Sequence, residues 1–319
     1  MYQKSNFSLE TIVSSNVNHA ADVIKQGGIV IFPTETVYGI GANSRNILAC
    51  EKIYSIKNRP SDNPFIVHLD SVQSIDKIAI IPEKYKKVIH HFSPGPITYI
   101  LEKKDDSIFS SGLSTLAVRV PSHEMTNLLL QYSDTPISAP SANLSGKPSI
   151  TRSLDAISEF SGKVDFILTG KDSEIGIEST VLDFTSETPV LVRPGRISYL
   201  ELKDFLPNLK TYEKNNNYPL LKPISPGLKY RHYAPDCRVI LVESIEQIEG
   251  NSNAVIGFKY NSKVTFSQFL QTNLEYMHYL YSFFIDCDKK QINNAFCQFP
   301  LEDEFKDVLI NRIEKAIMK

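Results

Sequence analysis

The sequence is sparing in the features that most readily give a function away. Its 319 residues include only four cysteines, Cys50, Cys237, Cys287 and Cys297. They show neither the paired Cys-x-x-Cys spacing of a zinc site nor the density of a disulfide scaffold, so free thiols in a reducing compartment are expected. No uninterrupted apolar run reaches the ~18 to 20 residues of a membrane span. Residues 1–12 carry no apolar core behind a basic start, so no leader is read there and the expected location is cytoplasmic, away from any membrane. Charge of one sign is missing too: 34 Lys and Arg face 36 Asp and Glu, a formal net charge of -2. Residues 1–208 hold 20 basic against 23 acidic side chains and the rest 14 against 13. Capture of nucleic acid by a long-range basic field is therefore not indicated, although a local basic cleft is compatible with these numbers.

The usual nucleotide and hydrolase signatures are absent as well. Gly146-Lys147 runs into Pro148, and Ser141 stands where a P-loop needs its leading glycine. Gly39-Ile-Gly41 lacks the third glycine and the helix-opening context of a dinucleotide fingerprint. There is no His-Glu-x-x-His helix and no Gly-x-Ser-x-Gly elbow, which removes metalloprotease and serine-hydrolase readings. His90 and His91 are sequence neighbours that point to different helix faces, and no metal-ligand set is assigned to them or elsewhere.

What is present is an alternation of helical and strand patterns. Residues 17–25 have helical spacing and stop at Gly27-Gly28, and Ile29 to Phe32 is a short continuous apolar run. Further buried strands are expected over 65–69, 97–101, 116–120, 166–168, 180–184 and 190–192, with helices over 48–56 and 123–132. From about residue 209 the pattern gives way to Lys214-Asn-Asn-Asn217 and then Pro219, Pro223, Pro226 and Gly227, a linker composition. Strands over 239–242 and 254–258 and a helix over 302–317 follow. The expected organisation is α/β (α+β): a catalytic domain over 1–208 on a twisted mixed sheet, a linker over 209–235, and a small α/β, Rossmann-like domain over 236–319.

Four polar segments sit between the apolar ones. Thr34-Glu-Thr36-Val-Tyr38-Gly39 leaves a buried strand with two hydroxyls, which fits either a capped turn or a ligand loop. Lys57-Asn58-Arg59-Pro60 places two cations just beyond a helix, where they either complement its dipole or converge on an anion. Asn63 follows before the next strand. Arg119 interrupts an otherwise apolar strand opened by Thr115, and its guanidinium needs a carboxylate or phosphate from the protein or from a ligand. Ser138-Ala139-Pro-Ser141-Ala-Asn143-Leu-Ser-Gly146 is a small-residue loop able to donate to phosphate oxygens.

Together with Ser-Pro-Gly-Leu-Lys-Tyr-Arg-His-Tyr-Ala-Pro over 225–235, these segments resemble the two-domain YrdC-type threonylcarbamoyl-AMP synthases. Lys57-x-Arg59 paired with Ser141-x-Asn143 is the pattern of their catalytic domain. The resemblance implies conversion of L-threonine, bicarbonate and ATP to L-threonylcarbamoyladenylate and pyrophosphate, the first step of threonylcarbamoyladenosine formation at position 37 of tRNAs reading ANN codons. It further implies Mg²⁺ with the phosphates, a downstream tRNA threonylcarbamoyl transferase complex and a weak tRNA contact. By that resemblance Lys57, Arg59, Ser141 and Asn143 are catalytic. Asn63, Thr115, Ser149 and Arg193 join Arg59 and Ser141 in binding ATP. Thr36, His68, Arg119, the backbone of Ala139 and Ser179 surround threonine. The segment 225–235 is expected to act as a lid, with Tyr230 or His232 on the phosphates. The alternative is a double-stranded RNA or tRNA binding module without catalysis, which leaves Glu35, Arg119 and the 225–235 motif unexplained.

Overall fold

A computed structural model describes residues 10–212 and 233–317. The lid segment's Tyr230, Arg231 and His232 lie outside the described residues. Two sheets organise the chain. The first has twelve strands and mixed directions, running from Ile12–Ser14 at one edge through Phe166–Leu168, Val30–Phe32, Gly39–Asn43, Ile137–Ala139, Ile66–His68, Thr115–Arg119, Ile97–Lys103, Thr180–Asp183 and Val190–Arg193 to Lys210–Thr211 at the other, with Ala79–Ile80 paired to Ile97–Lys103 off this path. The second has four strands, all parallel, Arg238–Val242, Asn294–Gln298, Gly250–Gly257 and Val264–Phe269 in spatial order. A parallel sheet needs helices on its faces, and Asn273–Lys289 and Lys306–Ile317 supply them.

Local chemistry explains several of the boundaries. The helix Val17–Lys25 begins where the Asn16 side chain accepts the His19 N–H at 3.1 Å, and Ile47–Lys57 begins the same way with Asn46 and Ala49. The 17-residue helix Asn273–Lys289 starts at Thr272, whose hydroxyl accepts the Glu275 N–H at 3.2 Å. The expected strands and helices occur with shifts of up to about four residues at their ends, whereas Gly39–Asn43, Ile137–Ala139, Val264–Phe269, Asn273–Lys289 and Asn294–Gln298 were not foreseen. Gly41 owes its identity to packing: a Cβ there would stand 2.7 Å from the Phe32 ring and 2.6 Å from Ile137. Gly39 and Gly41 thus admit the Phe32 ring to the sheet face.

The two parts share apolar contacts. Val37 and Ile177 of the first part are buried in the cluster that holds Tyr276, Leu280, Phe284 and Leu309 of the second. Gly176 marks a close approach, at φ +83, where an added Cβ would lie 2.4 Å from the Met277 carbonyl oxygen. Any side chain at position 176 would have to push the helix Asn273–Lys289 away. None of the described helices is long and apolar enough to cross a membrane.

Candidate active site

One pocket collects residues from eight separated stretches of the chain: Thr34 to Gly39, Lys57 and Arg59, Ile66 and His68, Arg119, Ala139 to Gly146, Glu178 and Ser179, Arg193, and Tyr233. Sheet register places its floor. His68 pairs with Arg119 on the neighbouring parallel strand, and Ile66 pairs with Ala139 on the antiparallel one.

The near wall is the Lys-x-Arg and Ser-x-Asn pair. Lys57 closes its helix and is 1% exposed. Its Nζ donates to the Ser141 carbonyl at 2.6 Å, to the Asn143 carbonyl, and to Asn143 Oδ1 at 3.4 Å. Three acceptors match the three N–H bonds of an ammonium, while burial and then the Arg59 charge pull its pKa well below the ordinary lysine range. Asn58 turns the chain out of the helix in the left-handed region, φ 51 and ψ 45. Arg59 then folds back so that Nε donates to the Asn63 carbonyl and Nη2 to the Pro64 carbonyl, both at 3.2 Å. Burial brings its pKa down to about 10, so it remains a cation at neutral pH. Ser141 donates its hydroxyl to Asn143 Oδ1 at 2.6 Å, and the Asn143 amide donates to the Leu144 and Lys147 carbonyls, which fixes this loop from within.

The floor answers the question that Arg119 poses in an apolar strand. Its Nη2 is ion-paired with Glu35 Oε1 at 2.7 Å, Nη1 donates to Thr36 Oγ1 at 2.8 Å, and Nε donates to the Gly95 carbonyl at 3.3 Å. Both a protein carboxylate and the pocket therefore face the guanidinium. Burial would raise the Glu35 pKa, but Arg119 and the Ser122 N–H outweigh it and hold the carboxyl below its ordinary range. Glu35 Oε2 and Arg119 Nη2 are buried with unmet hydrogen-bonding capacity. His68 is buried with Nδ1 3.2 Å from the Ile66 carbonyl, an oxygen that can only accept. In the neutral ring this contact favours the proton on Nδ1, which leaves Nε2 as the acceptor nitrogen. Burial and then the Arg119 charge lower the His68 pKa to about 3, leaving a neutral ring.

The far wall joins Ser179 to Arg193. Arg193 Nε donates to the Ser179 carbonyl at 3.1 Å and Nη2 to the Ser179 hydroxyl at 3.2 Å, which also lies 2.8 Å from Thr98 Oγ1. Glu178 accepts the Ser149 hydroxyl on Oε1 at 2.6 Å. On Oε2 it accepts the Tyr281 hydroxyl at 2.9 Å and Arg312 Nε at 3.2 Å.

Of the residues singled out from sequence, Thr36, Lys57, Arg59, His68, Arg119, Ala139, Ser141, Asn143, Ser179 and Arg193 line this pocket. Three are placed differently. Ser149 is fully buried with its hydroxyl committed to Glu178. Thr115 pairs with Glu102 at the far end of the Arg119 strand. Asn63 meets the site through its main-chain oxygen, which receives Arg59. Sequence reading missed Glu178 and Tyr233 in the lining and Tyr281 and Arg312 behind it. Tyr233 was within reach, being part of the 225–235 motif, and Glu178 adjoins Ser179. Tyr281 and Arg312 gave no local signal.

Comparison with known proteins agrees with this geometry. Residues 22–195 match the Sua5/YciO/YrdC family model described as telomere recombination, and residues 197–317 match one described as threonylcarbamoyl-AMP synthase, C-terminal domain. The threonylcarbamoyl-AMP synthase of Pyrococcus abyssi is 41% identical over 237 residues, 73% of this chain and 70% of that protein. The Bacillus subtilis protein of the same name is 41% identical over 238 residues, 73% of this chain and 68% of its own. The crystal structure of P. abyssi Sua5 complexed with L-threonine superposes with a TM-score of 0.87 at 33% identity, covering 96% of this chain and 97% of that one. This chain belongs to the threonylcarbamoyl-AMP synthase family, in the long form that carries both matched regions.

Proposed function

We propose that the pocket binds ATP beside carboxylated L-threonine and directs attack of the carbamate on the α-phosphorus. The reaction of the family consumes L-threonine, bicarbonate and ATP and yields L-threonylcarbamoyladenylate and pyrophosphate. It opens the route to threonylcarbamoyladenosine at position 37 of tRNAs reading ANN codons. One observation carries the assignment: cationic side chains from three separate segments converge on one pocket. Among the described residues, Lys57, Arg59, Arg119 and Arg193 line it together with Glu178, while His68 is neutral. Guanidinium groups gathered around one cleft suit an anionic ligand, and a triphosphate with a carbamate supplies one.

The chemistry needs orientation and charge relief more than a base, because a carbamate is already anionic and nucleophilic. His68, with a pKa of about 3, is a poor base near neutral pH and serves as a hydrogen-bond acceptor for the threonine hydroxyl. Arg119 takes the threonine carboxylate on the Nη2 edge that Glu35 leaves incompletely satisfied, with Thr36, the Ala139 backbone and Ser179 completing that subsite. Arg59, Arg193 and Ser141 address the phosphates. Lys57 holds the Ser141 to Asn143 loop in place through its three bonds while adding its own charge. Asn63 and Ser149 act indirectly, one by orienting Arg59 and the other through Glu178. Mg²⁺ would travel with the phosphates. The described residues contain no cluster of three or more His, Cys, Asp or Glu able to hold it, and both oxygens of Glu178 are taken. The donor set does not fit a resident metal site, and no step is assigned to the ion. The product would pass to a tRNA threonylcarbamoyl transferase complex, with a weak tRNA contact at this protein.

The deciding measurement is pyrophosphate release from ATP. It should require threonine and bicarbonate together. Serine should substitute incompletely, because a single methyl in an apolar subsite discriminates by only ~1 to 3 kcal/mol. Equal release with threonine omitted would refute the reading.

A further inference from the structure

The C-terminal part reaches the pocket from behind through buried polar side chains, Arg312 foremost. Arg312, on the helix Lys306–Ile317, is 0% exposed. Its Nε meets Glu178 Oε2 at 3.2 Å and its Nη2 donates to the Pro194 carbonyl at 2.8 Å. Those two partners are the sequence neighbours of Ser179 and Arg193, which line the pocket and bond to each other. One guanidinium thereby pins both strand-to-loop junctions of the far wall. Tyr281, from the helix Asn273–Lys289, donates to the same Glu178 oxygen at 2.9 Å and stacks on Tyr233 at 5.1 Å between centroids. The Arg312 guanidinium lies 5.4 Å over the Tyr233 ring.

We propose that Arg312, assisted by Tyr281, is a positioning residue for the adenylation site: it holds the Glu178 carboxylate and the Pro194 junction so that Ser179 and Arg193 meet the substrates. This gives the C-terminal part a defined task in the reaction, completing the far wall of a pocket whose remaining lining comes from the N-terminal part and from Tyr233. The inference rests on the functional reading above. Its physical core is that a planar guanidinium fixes a carboxylate and a carbonyl at a set spacing and angle, whereas a lysine would bond them as a point donor on a flexible stem. The charges around Glu178 agree with it. Burial would raise the carboxyl's pKa, yet Arg312 and then Arg193 bring it below its ordinary range, while the phenols of Tyr233 and Tyr281 facing it are held neutral by burial.

Removing the Arg312 charge has a signed consequence. Without it, burial is less opposed and the Glu178 pKa rises, with Arg193 as the remaining cation named beside it. While ionised, a carboxylate stripped of its nearest counter-charge stands next to the phosphate subsite, and once protonated the group is neutral. Arg312→Met should therefore weaken ATP binding and raise the KM for ATP by about ten- to a hundredfold, with a larger defect at pH 8 than at pH 6. Wild type should show no such dependence. The Glu178→Gln, Arg312→Met double variant should regain most of the affinity and lose the pH dependence. ATP affinity by calorimetry and steady-state kinetics would be compared well below each variant's melting temperature. A folded Arg312→Met protein with wild-type KM, kcat and pH profile would overturn the proposal, as would a double variant no better than the single. Should Arg312→Met fail to fold, Tyr281→Phe carries the test, with a weaker ATP affinity expected and an unchanged one overturning the clamp. If wild type binds ATP but releases no pyrophosphate with threonine and bicarbonate, the functional reading fails while the affinity comparison still decides the clamp. Absence of ATP binding in the wild type would sink both.

Discussion

The two walls of the pocket leave different traces in the sequence. The near wall joins two short motifs, Lys57-x-Arg59 and Ser141-x-Asn143, which lie 84 residues apart, with Lys57 bonded to the Ser141 and Asn143 carbonyls and the loop fixed further by bonds among its own residues. The far wall gathers Glu178, Ser179 and Arg193 and depends on Tyr281 and Arg312, which lie 103 and 134 residues beyond Glu178. Support reaches across the chain on both sides. What differs is whether the supporting residues belong to compact motifs or stand alone, and only the former show as a pattern in the sequence.

The largest expected effect tests the near wall. Lys57→Ala removes a buried amine and takes its donor from the Ser141 and Asn143 carbonyls, while Asn143 Oδ1 keeps the Ser141 hydroxyl. Turnover should fall by ~10² to 10³, the loss typical of deleting one preorganised electrostatic group. The fold should persist, since the surrounding core clusters are apolar and remain intact. Lys57→Arg should not rescue, because a planar fork does not fit a site shaped for a point donor. Pyrophosphate release at wild-type rates from a Lys57→Ala protein with normal melting would show that the near wall is dispensable and would reverse the comparison.

The same contrast sets how far sequence alone could go. Composition and periodicity located the helix Val17–Lys25 and the strand Phe166–Leu168 at their observed bounds because each packs one strong apolar pattern. Ile137–Ala139 escaped notice: three residues are too few for a pattern to stand out, and the place of the strand in the sheet comes from partners at Ala42 and Ile66. The helix Asn273–Lys289 was hidden for the opposite reason. Tyr276, Tyr281, Phe283 and Phe284 are apolar around much of its circumference because it is buried against both parts, so no one-sided stripe stands out. In the site, Arg119 was legible as a charge in an apolar strand, but its pairing with Glu35 was not, since 84 positions separate them. Arg312 looked like one more charge on a terminal helix.

A second test addresses the floor between the walls, where His68 is neutral and buried. Its pKa is about 3 in the folded protein against roughly 6.5 in an unfolded chain. Between those values the unfolded chain binds a proton that the native state refuses. The contribution of His68 to stability is therefore fully present above about pH 6.5 and is lost as pH falls, by up to ~1.4 kcal/mol per pH unit. Going from pH 7 to pH 5 should cost the wild type ~2 kcal/mol that His68→Gln does not lose, as read from urea denaturation. Parallel pH dependence in the two proteins would mean that the ring is accessible and that the floor is wetter than the walls require.

The smallest effect separates the Arg312 clamp from the other charges between the two parts. Lys147 pairs with Asp236 at 2.5 Å and Asp288 at 3.4 Å, and Arg152 pairs with Asp286 at 2.5 Å. These contacts are also long-range, so distance along the chain alone would rank them with Arg312. Exposure distinguishes them: the Lys147 side chain is 37% accessible and that of Asp236 80%, against 0% for Arg312. Solvent and salt screen such a pair, and its worth is typically ~0.2 to 1 kcal/mol. Lys147→Ala should lower stability by no more than about 1 kcal/mol and leave turnover unchanged, and raising the salt concentration should shrink the difference further. A loss of turnover in Lys147→Ala comparable to that of Arg312→Met would show that the parts are held in register by their whole charged seam. A silent Lys147→Ala beside a defective Arg312→Met would place the coupling at the buried guanidinium, because only there does breaking a contact leave an unpaired charge beside the substrates.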